Sequence, residues 1–189
     1  MAYGISAPAV IVHKERRFLI METPTERNIE AYAKVLKNEN VSTVVRTCEP
    51  AYSADRLKAK GIAVKDLYIK DGSAPSRSIV DKWLQIIDDV FGKEKGKQKK
   101  EGSNSTKPAT TTVAVHCITG LGRAPVCTAI GLIELGMDPV DAIIAIRSIR
   151  KGSFNKNQEE FLLSYQKIGC GDRSWSSVGK RWCKMCFGL

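Results

Sequence analysis

Val113-Ala-Val-His-Cys117-Ile-Thr-Gly-Leu-Gly-Arg123-Ala-Pro125 sets a cysteine, five further residues and an arginine between an apolar strand and an apolar helix. The β-branched run Thr112 to His116 reads as a buried strand that delivers Cys117 to a tight turn. Gly120 and Gly122 let the backbone curl until its N–H groups face inward, and a helix begins near Arg123 with Pro125 in its first turn. The product is an anion nest at a helix N-terminus, formed by the loop Ile118, Thr119, Gly120, Leu121, Gly122 and Arg123. That field favours a thiolate at Cys117, and a thiolate is a nucleophile. The planar guanidinium of Arg123 can hold two phosphoryl oxygens side by side, which a lysine cannot do in that geometry.

Working outward, the flanks read as alternating strands and helices. Residues 8–22 form a strand hairpin around a basic turn at Lys14-Glu-Arg-Arg17. Thr25 caps a helix over 26–37 with Ile29, Tyr32, Ala33 and Leu36 on one face, followed by a buried strand at 41–45. A short helix over 54–60, a strand over 62–68, a loop at Asp71-Gly-Ser-Ala-Pro75 and a helix over 78–91 come next. After the cysteine strand and its helix, Asp138-Pro-Val opens a helix to about Arg150, and Asn155 caps a last one over 156–167. This order implies an α/β fold with a central, largely parallel sheet and helices on both faces.

The 189 residues and 43% hydrophobic content suffice for one domain with a sizeable core, placed at 1–169. Gly92 to Lys107 holds no large apolar residue, so 93–107 is expected as a basic surface insertion. Residues 170–189 read as a basic tail. A run of about 18 apolar residues is missing, and the N-terminus lacks a basic-then-apolar leader, so neither a spanning nor a secreted chain is expected. The six cysteines are then expected as reduced thiols, and with only His13 and His116 to assist them neither a metal site nor a cofactor is expected. A net charge of +10 points to an anionic partner: phosphate esters, acidic headgroups or nucleic acid. Nucleic acid is set aside for want of a reading module or of clustered bases interleaved with aromatics.

Phosphoryl transfer through cysteine also needs a proton donor. Asp71 is the favoured candidate, on a Gly- and Pro-containing loop directly after a strand. Asp66 competes, but its place inside a strand pattern suits a structural or surface role.

These stretches, with Val44-Val-Arg-Thr-Cys48, Ile79-Val-Asp-Lys-Trp-Leu84 and Gly152-Ser-Phe-Asn155, resemble the phosphatases of regenerating liver, a prenylated branch of the dual-specificity protein tyrosine phosphatases. The resemblance spans nearly the whole chain. It implies a cysteine-phosphatase fold with Cys117 as nucleophile, Arg123 as phosphate binder and Asp71 as general acid, hydrolysing phosphotyrosine, phosphoserine or phosphothreonine esters. It also implies a reversible disulfide between Cys48 and Cys117. Ala124 stands where the wider superfamily carries a hydroxyl that assists phosphocysteine hydrolysis, so slow turnover is expected. Lys70 replaces a second acidic residue of the family. A phosphoinositide substrate, or a docking role toward an acidic loop of a cyclin-M-type magnesium transporter, remains the alternative, and self-association stays open.

Cys186-Phe-Gly-Leu189 has the form of a prenylation box, with Gly188 where an aliphatic residue is usual. Lys180, Arg181 and Lys184 would supplement a lipid on Cys186 at an anionic leaflet. The expected location is the cytoplasmic face of the plasma membrane or endomembranes.

Overall fold

The computed structural model describes residues 5–95 and 111–168. Most of the basic insertion lies outside the described residues, as do the tail and Cys186. Five strands, β1 (Ala9–His13), β2 (Arg16–Glu22), β3 (Val41–Arg46), β4 (Ala63–Asp66) and β5 (Thr112–Cys117), form one sheet in the order β1-β2-β5-β3-β4. Only β1 is antiparallel, as the hairpin partner of β2. The other neighbours run parallel, with Met21 beside His116 and Arg46 beside His116 on the two sides of β5. β5 is therefore central and buried along its whole length, which explains its near-continuous β-branched and small apolar sequence.

Alternation along each strand divides the core in two. Phe18, Ile20, Val45, Val113 and Val115 face α3 (Arg77–Lys95), α4 (Arg123–Glu134), α5 (Pro139–Ile149) and α6 (Lys156–Leu163). Leu19, Met21, Val44 and Ala114 face α1 (Ile29–Asn38) and α2 (Asp55–Lys58). Gly131 brings α4 close to the sheet, since a Cβ there would stand 3.0 Å from the Phe18 ring. Among the described residues no helix is long and apolar enough to cross a membrane.

Three helix boundaries differ from the sequence reading by three residues or more. α1 starts at Ile29, because the Asn28 side chain accepts from Thr25 N (2.7 Å) and closes a turn that competes with the helix; Asn28, not Thr25, is the capping position. α3 continues to Lys95, since Lys and Glu are good helix formers and no helix breaker follows Gly92 there. α6 stops at Leu163, where the Ser164 hydroxyl donates to the Glu160 carbonyl (2.9 Å) and the chain turns so that the Tyr165 hydroxyl and Ile168 N meet Glu134.

Candidate active site

The carboxyl ends of β3 and β5 and the loops after β4 and α5 converge on one edge of the sheet, where open α/β sheets place their ligands. Cys117 is the last residue of β5 and is buried. The loop that follows is held from outside by its carbonyls. Thr23 N donates to Ile118 O (3.2 Å) and Phe154 N to Leu121 O (2.9 Å). Arg150 supplies the other two bonds, from Nη2 to Thr119 O (2.7 Å) and from Nε to Gly120 O (3.0 Å). A trans peptide points its N–H opposite its C=O, so four outward-held carbonyls turn the amides toward a common centre beside Cys117. Gly120 permits the curl at φ +70°, and Gly122 caps α4. The helix adds its N-terminal field and carries no acidic residue in its first turn.

Arg123 opens α4 with a side chain that is nearly buried. Its Nη1 donates to Ile69 O (3.3 Å) and its Nη2 lies 3.2 Å from Asp71 Oδ1, which ties it to the loop after β4. Its Nε is buried without a hydrogen-bond partner, an orphan donor that an oxyanion in the nest would satisfy. Asp71 projects into solvent just after Ile69, whose N–H continues the sheet by donating to Thr47 O (3.2 Å). Ser73 N closes the turn onto Lys70 O (3.1 Å). The structure thus brings Cys117, Arg123 and Asp71 to one place. Asp66 is elsewhere: it pairs both carboxylate oxygens with Arg46, which holds its carboxyl below the usual range.

Cys48 lies two residues beyond β3, the strand that pairs with β5. It is buried, 3.7 Å from the Thr23 hydroxyl and 4.0 Å from His116 Nδ1. Burial pushes its thiol up; Thr23 and Arg123 oppose that, and negative charge at Cys117 adds to it, so the two sulfurs share one electrostatic environment. His116 is buried between Tyr52, whose hydroxyl lies 2.9 Å from Nε2, and the backbone of Cys117. Desolvation, reinforced by Arg46, lowers its pKa to about 3, so the ring is neutral. Cys127, inside α4, is an inert core thiol held protonated by burial. Among the described residues no cluster of His, Cys, Asp or Glu could hold a metal.

The sequence reading missed Arg150 as the clamp on the loop and Gln158, whose Nε2 donates to Ser73 O (3.2 Å). That reading puts Arg150 at the end of a helix, where the turn over 150–155 begins. Its only local sign is a charged residue six positions after Ile144 and next to Lys151, which does not separate a clamp from a surface cation.

No protein-family model matches the chain. The chain is 43% identical over 160 residues to the PRL-1 phosphatase of Drosophila melanogaster, covering 85% of this chain and 83% of that one. It is 38% identical over 160 residues to protein tyrosine phosphatase type IVA 2 of Mus musculus, with 85% and 87% covered. Among solved structures, a protein tyrosine phosphatase from Leishmania major superposes with a TM-score of 0.74 at 32% identity, over 86% of this chain and 100% of that one.

Proposed function

This chain belongs to the PRL, or type IVA, family of protein tyrosine phosphatases, and from that membership we propose how its residues divide the work of a cysteine-dependent phosphatase. Cys117 Sγ attacks phosphorus as the bond to the ester oxygen breaks, and Asp71 gives that oxygen its proton. The inward amides of residues 119–122 and the Arg123 guanidinium hold the equatorial oxygens, where charge gathers in the transition state. Water then attacks the phosphocysteine, Asp71 takes a proton from it, the S–P bond breaks and inorganic phosphate leaves. The observation that carries this reading is the orphan Arg123 Nε beside a loop four of whose carbonyls are held outward. Ala124 offers no hydroxyl to the departing thiolate, so hydrolysis of the phosphocysteine is the slow step.

Cys48 serves as resolving thiol in this proposal. Peroxide oxidises the Cys117 thiolate to a sulfenic acid with release of hydroxide, and the Cys48 thiol then attacks that sulfur, releasing water and forming a disulfide that a thiol reductant reopens. Its supporting observation is the shared environment of the two sulfurs at the ends of neighbouring strands. Prenylation at Cys186 with attachment to an anionic membrane completes the reading.

The deciding experiment records phosphate release from an aryl phosphate together with the intact mass of the reduced protein, with Cys117→Ser as control. Release or a single-phosphoryl adduct, each abolished in the variant, is the expected result. Neither signal in the parent protein overturns it and leaves the nest as a docking site for an acidic partner.

A further inference from the structure

The Asp71 side chain is 84% exposed, so packing does not fix the carboxylate; apart from Arg123 Nη2, 3.2 Å from Oδ1, its position depends on how the loop 69–73 is anchored. Ile69 anchors one end, its O accepting from Arg123 Nη1 and its N donating to Thr47 O. The other end is held from the first turn of α6. Asn155 and Gln158 form a reciprocal capping box there: Asn155 Oδ1 accepts from Gln158 N (2.9 Å), and Gln158 Oε1 accepts from Asn155 N (3.1 Å). That leaves each side-chain amide with a donor to spare, and both donors go to the acid loop. Asn155 Nδ2 donates to Gly72 O (2.9 Å) and Gln158 Nε2 to Ser73 O (3.2 Å). Gly72 adopts φ +71°, and a Cβ there would stand 3.4 Å from Asn155 Nδ2, so the approach of the two segments is close. Phe154, the residue before the cap, meanwhile donates to the phosphate loop at Leu121 O. Three consecutive features of one helix entrance therefore set the distance between the loop bearing Asp71 and the loop bearing Cys117.

We propose that Asn155 is a positioning residue for the general acid: its side-chain amide, bound to the carbonyl one residue beyond Asp71, holds that carboxyl where it can protonate the leaving oxygen. The proposal rests on the role given above to Asp71. It concerns one step only, in which the S–P bond forms, the P–O bond breaks and the Asp71 proton passes to the departing oxygen. A poor leaving group requires that proton. A 4-nitrophenolate departs nearly as well without it.

The test compares kcat/KM for phenyl phosphate and 4-nitrophenyl phosphate in the parent protein, Asn155→Ser, Asn155→Asp and Asp71→Ala. This ratio reports events through release of the leaving group and is blind to slow hydrolysis of the phosphocysteine. Serine and aspartate keep an oxygen to cap α6 and lose the amide donor. We expect both Asn155 variants to lower the phenyl-to-nitrophenyl ratio about 10-fold, as misplacing an acid does, with KM for 4-nitrophenyl phosphate little changed. In an Asp71→Ala background, Asn155→Ser should change the ratio less than about twofold, because no acid remains to be placed. Equal losses on both substrates, or a lowered melting temperature with an unchanged ratio, overturn the proposal and leave Asn155 a helix cap. An unchanged ratio in Asp71→Ala itself overturns the acid assignment, and the positioning role with it.

Discussion

Arg123 Nη2 lies 3.2 Å from Asp71 Oδ1, joining a guanidinium that is 5% exposed to a carboxylate that is 84% exposed. The carboxylate occupies a donor that a bound oxyanion needs, so substrate and Asp71 compete for the same edge of Arg123. Asp71→Asn should therefore bind vanadate or tungstate up to about fivefold more tightly, since a largely solvated pair contributes no more than about 1 kcal/mol. The same variant should lose most of its kcat/KM toward phenyl phosphate. Calorimetric titration of the oxyanion checks the first half, and weaker binding would remove the competition.

Gly120 cannot take a side chain. At φ +70° a Cβ would sit 2.8 Å from Met21 O and against the Arg150 guanidinium that holds the loop. Gly120→Ala should lower kcat/KM on the order of 100-fold by turning amides away from the phosphate, with a stability loss of about 1–2 kcal/mol for the left-handed residue. Loss of stability with intact oxyanion binding would contradict this.

His116 makes stability depend on pH. The folded ring takes up its proton near pH 3, against 6.5 for an ordinary histidine. Between those values the unfolded chain binds the additional proton, so stability falls as pH drops through that window and is fully present above it. The slope contributed is at most about 1.4 kcal/mol per pH unit. Urea unfolding at a series of pH values should show His116→Gln with a shallower acid-side slope than the parent, and parallel slopes would contradict the buried neutral imidazole.

Ala124 is fully buried in the first turn of α4, next to the nucleophile loop. Ala124→Ser should raise kcat several-fold while leaving kcat/KM nearly unchanged, because the added hydroxyl acts on the departing thiolate after the first irreversible step. Burst kinetics with 4-nitrophenyl phosphate separate the two steps, and an unchanged or lower kcat would count against it.

Cys48→Ser should leave the reduced enzyme active and make its inactivation by peroxide irreversible. With Cys48 present, intact mass should record an intramolecular disulfide that dithiothreitol reverses; without it, Cys117 should proceed to sulfinic and sulfonic acids. Equal recovery of both proteins after reduction would exclude the resolving role.

Most of the fold was legible because β5 and α4 carry strong patterns. Val113-Ala-Val is buried on both faces and reads as a central strand, and the uncharged run after Arg123 reads as a buried helix. The ends of α1 and α6 were misjudged for a common reason: Asn28 and Ser164 bond back to nearby backbone, and such local bonds compete with helix propensity in ways a periodicity count does not register.

At the site, most of the residues proposed to touch phosphate are contiguous in the chain. Cys117, the two glycines and Arg123 sit within seven positions, and that spacing, read with the β-branched strand before it and the uncharged helix after it, pointed to a nucleophile, a curl and a bidentate cation. Asp71 was singled out by its loop after a strand. The residues that hold those groups in place come from afar: Arg150 clamps Thr119 and Gly120 from thirty positions away, and Asn155 reaches Gly72 across eighty-three. The sequence determined which groups the loop after β5 offers for chemistry, because Cys117, the glycines and Arg123 must follow one another around a single turn of backbone. Their aim was decided only by tertiary structure, because a loop carbonyl accepts from whatever donor the sheet and helices bring beside it, and no local pattern encodes that meeting.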